Sequence, residues 1–198
     1  DANASSSITI GIPQDIEDSL DPHEILAAGT KEIFFNVYEG LYKTDIDGNI
    51  VPAVASDVMI SEDGCKYTFT LREGVKFHDG NPVTAEDVAY SVAKFADIEG
   101  GNPSIAAFSN ITDVTVKDAA TVEITLAEPD SDLLALLASI EAAIIPKSNP
   151  DPSQNAIGTG AYRYVSRSPL ENVKMERFEE YWYGPAPIQY VTFKICSN

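Results

Sequence analysis

The chain has 198 residues, enough for one large or two small domains whose core hides about 70% of the unfolded surface. Hydrophobic residues make up 44% and charged residues 22%, the composition of a folded globular protein and not of a disordered or membrane chain. The net charge of −18, with no cluster of basic residues, excludes a surface that could neutralise a phosphate backbone, so nucleic acid is not a partner. Cys65 and Cys196 stand far apart with no second cysteine nearby, which reads as two idle thiols and not as a zinc pair or a disulfide framework. The longest apolar stretch, "LLALLASIEAAII" (133–145), is too short to span a bilayer and carries Glu141.

The polar start "DANASSS" reads as a flexible leader left after processing. "SITIGIP" (7–13) is a β-type run closed by Pro13, and a long irregular segment, "QDIEDSLDPHEILAAG", follows. Thr30 is the expected N-cap of a helix over "KEIFFNVYEGLY", with Ile33, Phe34, Val37 and Leu41 on one face and Gly40 marking close backbone packing. Asp47-Gly48 and Asp63-Gly64 read as hairpin turns; around the second, Tyr67, Phe69 and Leu71 face one side and Lys66, Thr68, Thr70 and Arg72 the other. Asp47-Gly48 lacks the oxygen donors of a calcium loop. In "VKFHDGNPVTAEDVAYSVAKF" (75–95), Val75 and Phe77 continue a strand, Asp79 to Pro82 make a turn, and Thr84 opens a helix. Thr84 with Asp87 resembles a capping box, and Val88, Val92, Phe95 and Ala96 form its apolar stripe. Residues 110–129 form another strand pair, 130–140 a short Leu-rich helix, and "YRYVSRS", "NVKMERF" and "IQYVTFKI" the last strands.

Chemistry of the usual catalytic kinds is thin. "GTGAYR" (158–163) lacks the third glycine and the following helix of a dinucleotide loop, and no P-loop, zinc-protease helix or nucleophile elbow occurs. His23 and His78 are the only imidazoles available as a general base, and each sits beside a turn, where local hydrogen bonding is the commoner role. Carboxylate pairs such as Glu179 and Glu180, or Asp130 and Asp132, are expected by chance among 31 acidic residues. The aromatic run "FEEYWYGPAP" (178–187) suits either a binding surface or edge packing.

Several blocks in order resemble one family: "SLDPH" (19–23), "NVYEGLY" (36–42), "YTFTLREGVKFHDGNPVTAEDVAYSV" (67–92), "IGTGAY" (157–162) and "EYWYGPAPIQYVTFKI" (180–195). They are similar to the solute-binding proteins of ABC importers in the peptide/nickel class, family 5. The likeness runs from about residue 8 to 195; Ala161 departs from it by replacing the usual proline of a Gly-Thr-Gly-Pro-Tyr turn. The resemblance implies an α/β (mixed α+β) fold of the periplasmic-binding-protein type II. One lobe only is expected, a mixed sheet with flanking helices plus an inserted small β-rich subdomain. By analogy, residues 1–43 and 158–198 build the main subdomain, 44–157 the insert, and the second lobe lies outside this chain, which looks like an N-terminal piece.

The same resemblance implies function. The protein would be the solute-binding component of an ABC importer, taking up peptides or similar small solutes and presenting them to the permease membrane subunits. It would be extracytoplasmic, in the periplasm or tethered to the membrane as a cell-surface lipoprotein, would need no cofactor or metal, and would not be an enzyme. In relatives the loop after the first strand offers backbone groups to an extended ligand. Here that loop, "ILAAGTK", makes Leu26, Ala27, Ala28, Gly29 and Thr30 the ligand-facing candidates, against the plainer reading of Gly29-Thr30 as a loop and helix cap. From the insert, "GGNPSIAAF" (100–108) contributes Phe108. The alternatives are an extracytoplasmic hydrolase using His78 or a carboxylate pair, and a scaffold or adhesion module.

Overall fold

The computed structural model describes residues 5–196, so most of the leader falls outside the described residues. Strand β1 (Ser7–Ile12) pairs in parallel with β10 (Tyr190–Ile195), which pairs antiparallel with β9 (Asn172–Arg177) and through it β8 (Tyr162–Ser168). Period-two alternation sends Val173, Met175, Val191 and Phe193 to one face. There they meet Ile16, Leu20 and Ile25 of the long irregular segment, Ile33 and Phe34 of the helix that follows it, and Val37 and Tyr38 just past that helix. This mixed sheet holds the first core.

A second core sits under the antiparallel sheet β4-β5-β7-β6, formed by β4 (Ala55–Ile60), β5 (Lys66–Leu71), β7 (Thr121–Leu126) and β6 (Ile111–Asp118). Tyr67 opposes Ile124 and Phe69 opposes Val122, so both strands bury the same face. Helix α2 (Ala85–Ala96) covers that face with Val88, Val92, Phe95 and Ala96, all buried. Each of the two valines and the phenylalanine contributes about 1.5–3 kcal/mol by leaving water. The capping box is present: Thr84 accepts from the Asp87 amide at 3.2 Å, and the Asp87 carboxylate accepts from the Thr84 amide at 3.0 Å. A two-stranded hairpin, β2 (Tyr42–Thr44) with β3 (Ile50–Pro52), turns at Gly48, whose φ of 82° suits glycine.

The apolar stretch 140–145 joins the two cores. Ala142 and Ile144 belong to the core under the antiparallel sheet, whereas Ala143 and Ile145 belong to the core under the mixed sheet. An extended chain alternates its side chains, so one short segment serves both. It is pinned by Ile144 donating to the Glu39 carbonyl and Ile145 to Ser91 Oγ, each at 2.9 Å.

Several elements differ from the sequence reading. Helix α1 is Ala28–Phe34, so Thr30 is a buried residue inside it and not its N-cap; Ala27 holds that position without a side-chain cap. The helix also stops well before Tyr42. The carbonyls it would need beyond Phe34 serve other segments: Asn36 accepts from Tyr162, Val37 from Gly160, Glu39 from Ile144 and Gly40 from Val54. Gly40 is therefore not helical, although its close packing is real, since a Cβ there would lie 2.1 Å from the Leu137 carbonyl oxygen. Val75 and Phe77 are buried in a turn-rich segment beyond the end of β5 and are not strand residues. The expected helix over 130–140 resolves into α3 (Leu133–Leu137) and a separate 3-10 turn, Ile140–Ala142.

Candidate functional site

The loop before α1 is the most open backbone near the first core. Leu26 is 80% exposed, Ala27, Ala28 and Gly29 are exposed, and no atom lies within 4 Å of a Cβ built on Gly29. Glu17 holds this loop in place of a side-chain cap. Its carboxylate accepts from the amides of Leu26 at 3.1 Å and Ala27 at 2.8 Å, and its own amide donates to Thr30 Oγ1 at 3.2 Å. Thr30 thus supports the loop from beneath and, being 2% exposed, presents no surface of its own. Ala27 to Gly29 present only small side chains outward, which lets another backbone approach closely, with the exposed Leu26 beside them.

The segment ahead of Glu17 is anchored in turn to the mixed sheet. Arg167 on β8 donates to Asp15 Oδ2 at 2.8 Å and to the Ile16 carbonyl at 3.1 Å, and the Leu170 amide also donates to Asp15 at 2.8 Å. Burial acts to raise the Asp15 pKa, but Arg167 and the amides of Leu170 and Ile16 outweigh it and hold the carboxyl below its ordinary value.

Phe108 does not join this site. It is 0% exposed, within a 3-10 turn (Ala106–Asn110), and stacks on Phe95 with ring centroids 4.7 Å apart. Its role is core packing, and the ligand contact expected of it is withdrawn. Aromatic residues after a Gly-Asn-Pro loop give no sign in sequence of which way they turn.

Neither histidine is placed to act as a base. His78 Nε2 donates to the Gly160 carbonyl at 2.9 Å while Nδ1 accepts from the Gly158 amide at 3.3 Å, and its ring meets Phe178 edge-on at 4.9 Å. Burial is the main cause that brings its pKa down to about 4. His23 Nε2 lies 2.8 Å from the Ala143 carbonyl and Nδ1 3.0 Å from Lys94 Nζ; burial first, then the Lys94 charge, holds it well below its ordinary value. Both rings are occupied on both nitrogens.

Sequence reasoning missed two charged groups. Glu141, buried, pairs with Lys31 on α1 at 2.5 Å beside the open loop. Glu39, also buried, accepts from Tyr181 Oη, from Trp182 Nε1 at 2.9 Å and from Thr159 Oγ1 at 3.5 Å, with Lys43 Nζ 3.6 Å away. Burial raises the Glu39 pKa despite these partners. Lys43 also lies over the rings of Tyr181, Trp182 and Tyr183 at 5.6, 5.2 and 5.5 Å, and Arg72 stacks on Trp182 at 4.1 Å. Here the "YWY" run is mostly edge packing that clasps the chain where it passes between the two cores. Each carboxylate was legible as a residue, but Lys31 is far from Glu141 in the chain and the donors to Glu39 lie 120 to 143 positions away, Lys43 alone being near.

The whole described fold superposes on the PBP/SBP MoaA of A. tumefaciens R10, solved in complex with mannopinic acid, with a TM-score of 0.89, 26% identity and 98% of this chain covered, against 42% of that one. This is the architecture of a periplasmic binding protein, present in part. Residues 49–198 match the family described as bacterial extracellular solute-binding proteins, family 5 Middle. The chain belongs to the bacterial extracellular solute-binding proteins, family 5. It is 30% identical to the glutathione-binding protein GsiB of Salmonella typhi over 174 residues, covering 85% of this chain and 34% of GsiB. To the periplasmic oligopeptide-binding protein OppA of Salmonella typhimurium it is 32% identical over 205 residues, covering 91% of this chain and 38% of OppA. The chain thus spans little more than a third of the length of these two relatives.

Proposed function

We propose that this chain supplies one lobe of the solute-binding component of an ABC importer, which captures a peptide or similar small solute outside the membrane and hands it to the permease. The observation that carries the reading is the exposed Leu26–Gly29 backbone, held open by Glu17 on a lobe of family 5 architecture. Ala27 to Gly29 are small, which lets the main chain of an extended ligand lie close against this turn. A second lobe, contributed by the remainder of the protein, closes over the solute, and the difference in affinity between open and closed states drives the closure. The relatives named for glutathione, oligopeptides and mannopinic acid support small solutes as a class without choosing among them.

No bond is made or broken in this reading. The hydrolase alternative loses His23 and His78 as bases, because both imidazoles spend both nitrogens on neighbours, which leaves it only a carboxylate pair. An extracytoplasmic location, with or without a lipid tether, follows from the role; among the described residues no helix is long and apolar enough to cross a membrane. The test is substitution of Ala28 by Trp in the protein at the full length of its relatives. Solute affinity should fall by about tenfold or more because the bulky ring blocks backbone approach, while the melting temperature holds. Undiminished binding by A28W would remove the loop from the site.

A further inference from the structure

Between α1 and the Ala135–Ile140 segment lies a hollow of about 470 Å³. Phe35, Ala138 and Ile140 form its apolar wall, and Lys31, Glu32 and Ser139 its polar one. Lys31, which lines it, meets Glu141 Oε1 through Nζ at 2.5 Å, the side chains being 31% and 12% exposed. Ala28, in the open loop, is one turn before Lys31 on the same helix.

This pair differs from the other three well-buried Lys or Arg pairs, of which Arg167–Asp15 is tied further to the Ile16 carbonyl and the Leu170 amide. Glu39 faces Lys43 but also accepts from Tyr181, Trp182 and Thr159, and Asp21 faces Lys94 beside His23 while accepting from the His23 amide. Those are multiply tied and structural. Among the described residues, the Lys31 and Glu141 side chains contact only each other through polar atoms. A mostly buried carboxylate does not give up its one cation unless something replaces it, since an uncompensated charge away from water is strongly unfavourable. A neutral ligand, or one with a single charge, leaves one member of the pair unmatched. A group that carries an ammonium and a carboxylate on the same carbon satisfies both at once.

We propose that the Lys31–Glu141 pair opens to receive the α-amino-acid head group of the solute, with the ammonium on Glu141, the carboxylate on Lys31 and the adjoining apolar atoms against Phe35 and Ile140. This rests on the solute-binding reading and narrows it from small solutes in general to those with such a head. Lys31 and Glu141 then set specificity, and the Leu26–Gly29 backbone holds the rest of the ligand.

The test uses the protein at the full length of its relatives and three probes. Glutathione carries an ammonium and a carboxylate on one carbon at its γ-glutamyl end; N-acetylglutathione lacks the ammonium; trialanine carries its two charges at opposite ends. Calorimetry should show glutathione bound about tenfold or more tighter than its N-acetyl form, since an ionic hydrogen bond to a desolvated carboxylate is lost on acetylation. Glu141→Gln should erase that preference, and Lys31→Met should weaken glutathione while leaving any trialanine binding intact. Equal affinity for glutathione and N-acetylglutathione overturns the head-group assignment without needing a variant. Retention of the preference by E141Q, or binding of trialanine with refusal of glutathione, does the same; in each case the capture of a solute stands. Failure of all three probes to bind counts against both the head-group assignment and the capture of peptide-like solutes.

Discussion

His78 is clamped by backbone on both sides of its ring, and what it clamps is the Gly158-Thr159-Gly160 turn. The glycines are needed because a Cβ would lie 2.3 Å from the Val37 carbonyl oxygen at Gly158 and 2.4 Å from that of Asn36 at Gly160. Gly160→Ala should therefore destabilise the fold by about 2–4 kcal/mol, since the atom it meets is backbone that cannot swing away. Gly29→Ala, with open space around it and a helical position, should be neutral or slightly stabilising. Urea titration of the two variants checks both, and comparable losses at the two sites would contradict the close approach at Gly160. Acid should act through the same residue. Because the folded pKa of His78 is about 4 and the ordinary value 6.5, its contribution is whole above about pH 6.5 and is lost as the pH falls toward 4, at most about 3 kcal/mol. His23 loses stability in the same direction. Asp15, held below 3.8, adds a further loss only at lower pH. His78→Gln should flatten the fall between pH 6.5 and 4 in unfolding experiments; a slope equal to that of the parent chain would show that His78 is not held neutral.

At the scale of elements, α2 was the most legible from sequence and α1 the least. Helix α2 carries its own start signal, and the stripe of Val88, Val92 and Phe95 fits one face, so local and tertiary preferences agree. Thr84→Ala should cost about 1 kcal/mol by removing the hydroxyl that accepts from Asp87, measured as a lower denaturation midpoint with unchanged slope. A midpoint that does not move would mean that the Asp87 carboxylate, which also accepts from the Lys147 amide at 2.9 Å, suffices to hold the helix start. Helix α1 carries no such signal. The turn that leads into it is held by Glu17, ten residues before Ala27 in the chain, and its exit is decided by glycines more than a hundred residues later. The apolar spacing of Ile33, Phe34, Val37 and Leu41 fits a longer helix; the first three join the core under the mixed sheet and Leu41 the other core, so the chain leaves the helix to serve both.

Across the described molecule, the ties between the two cores include the alternating 142–145 segment, the His78 clamp, the Glu39 clasp with Tyr181 and Trp182, and Lys94 of α2 bound to Asp21. Such ties favour motion of this part as one body, so the closure proposed above would take place between lobes and not within this one. The chain of residues 1–198 by itself is therefore expected to bind glutathione or trialanine weakly or not at all, because only one side of the solute is met. Calorimetry that finds tight binding by this chain alone would refute a two-sided site. On the mixed sheet, β1 is an edge strand, and Ile8 and Ile10, on the same side as Val191 and Phe193, remain 41% and 40% exposed. This is the surface through which a scaffold or adhesion role would have to work, and a concentration-dependent dimer of the isolated chain, lost on Ile10→Lys, would support it.

By itself the sequence determined what is local or repeats along the strand: both hairpin turns, the buried faces of β5 and β7, the capping box of α2, and the ordered motif blocks that marked the family. Those features depend on neighbours within a few residues, and their side chains alternate with a fixed period. Only the tertiary structure decided that Thr30 supports the loop it was expected to display, that Phe108 turns inward onto Phe95, that α1 ends at Phe34, and that Lys31 finds Glu141. In each of those cases the deciding partner lies 13 to 126 positions away or is a backbone group of another segment, and no period or composition in a single chain records which distant atoms will fill a hydrogen bond or a cavity.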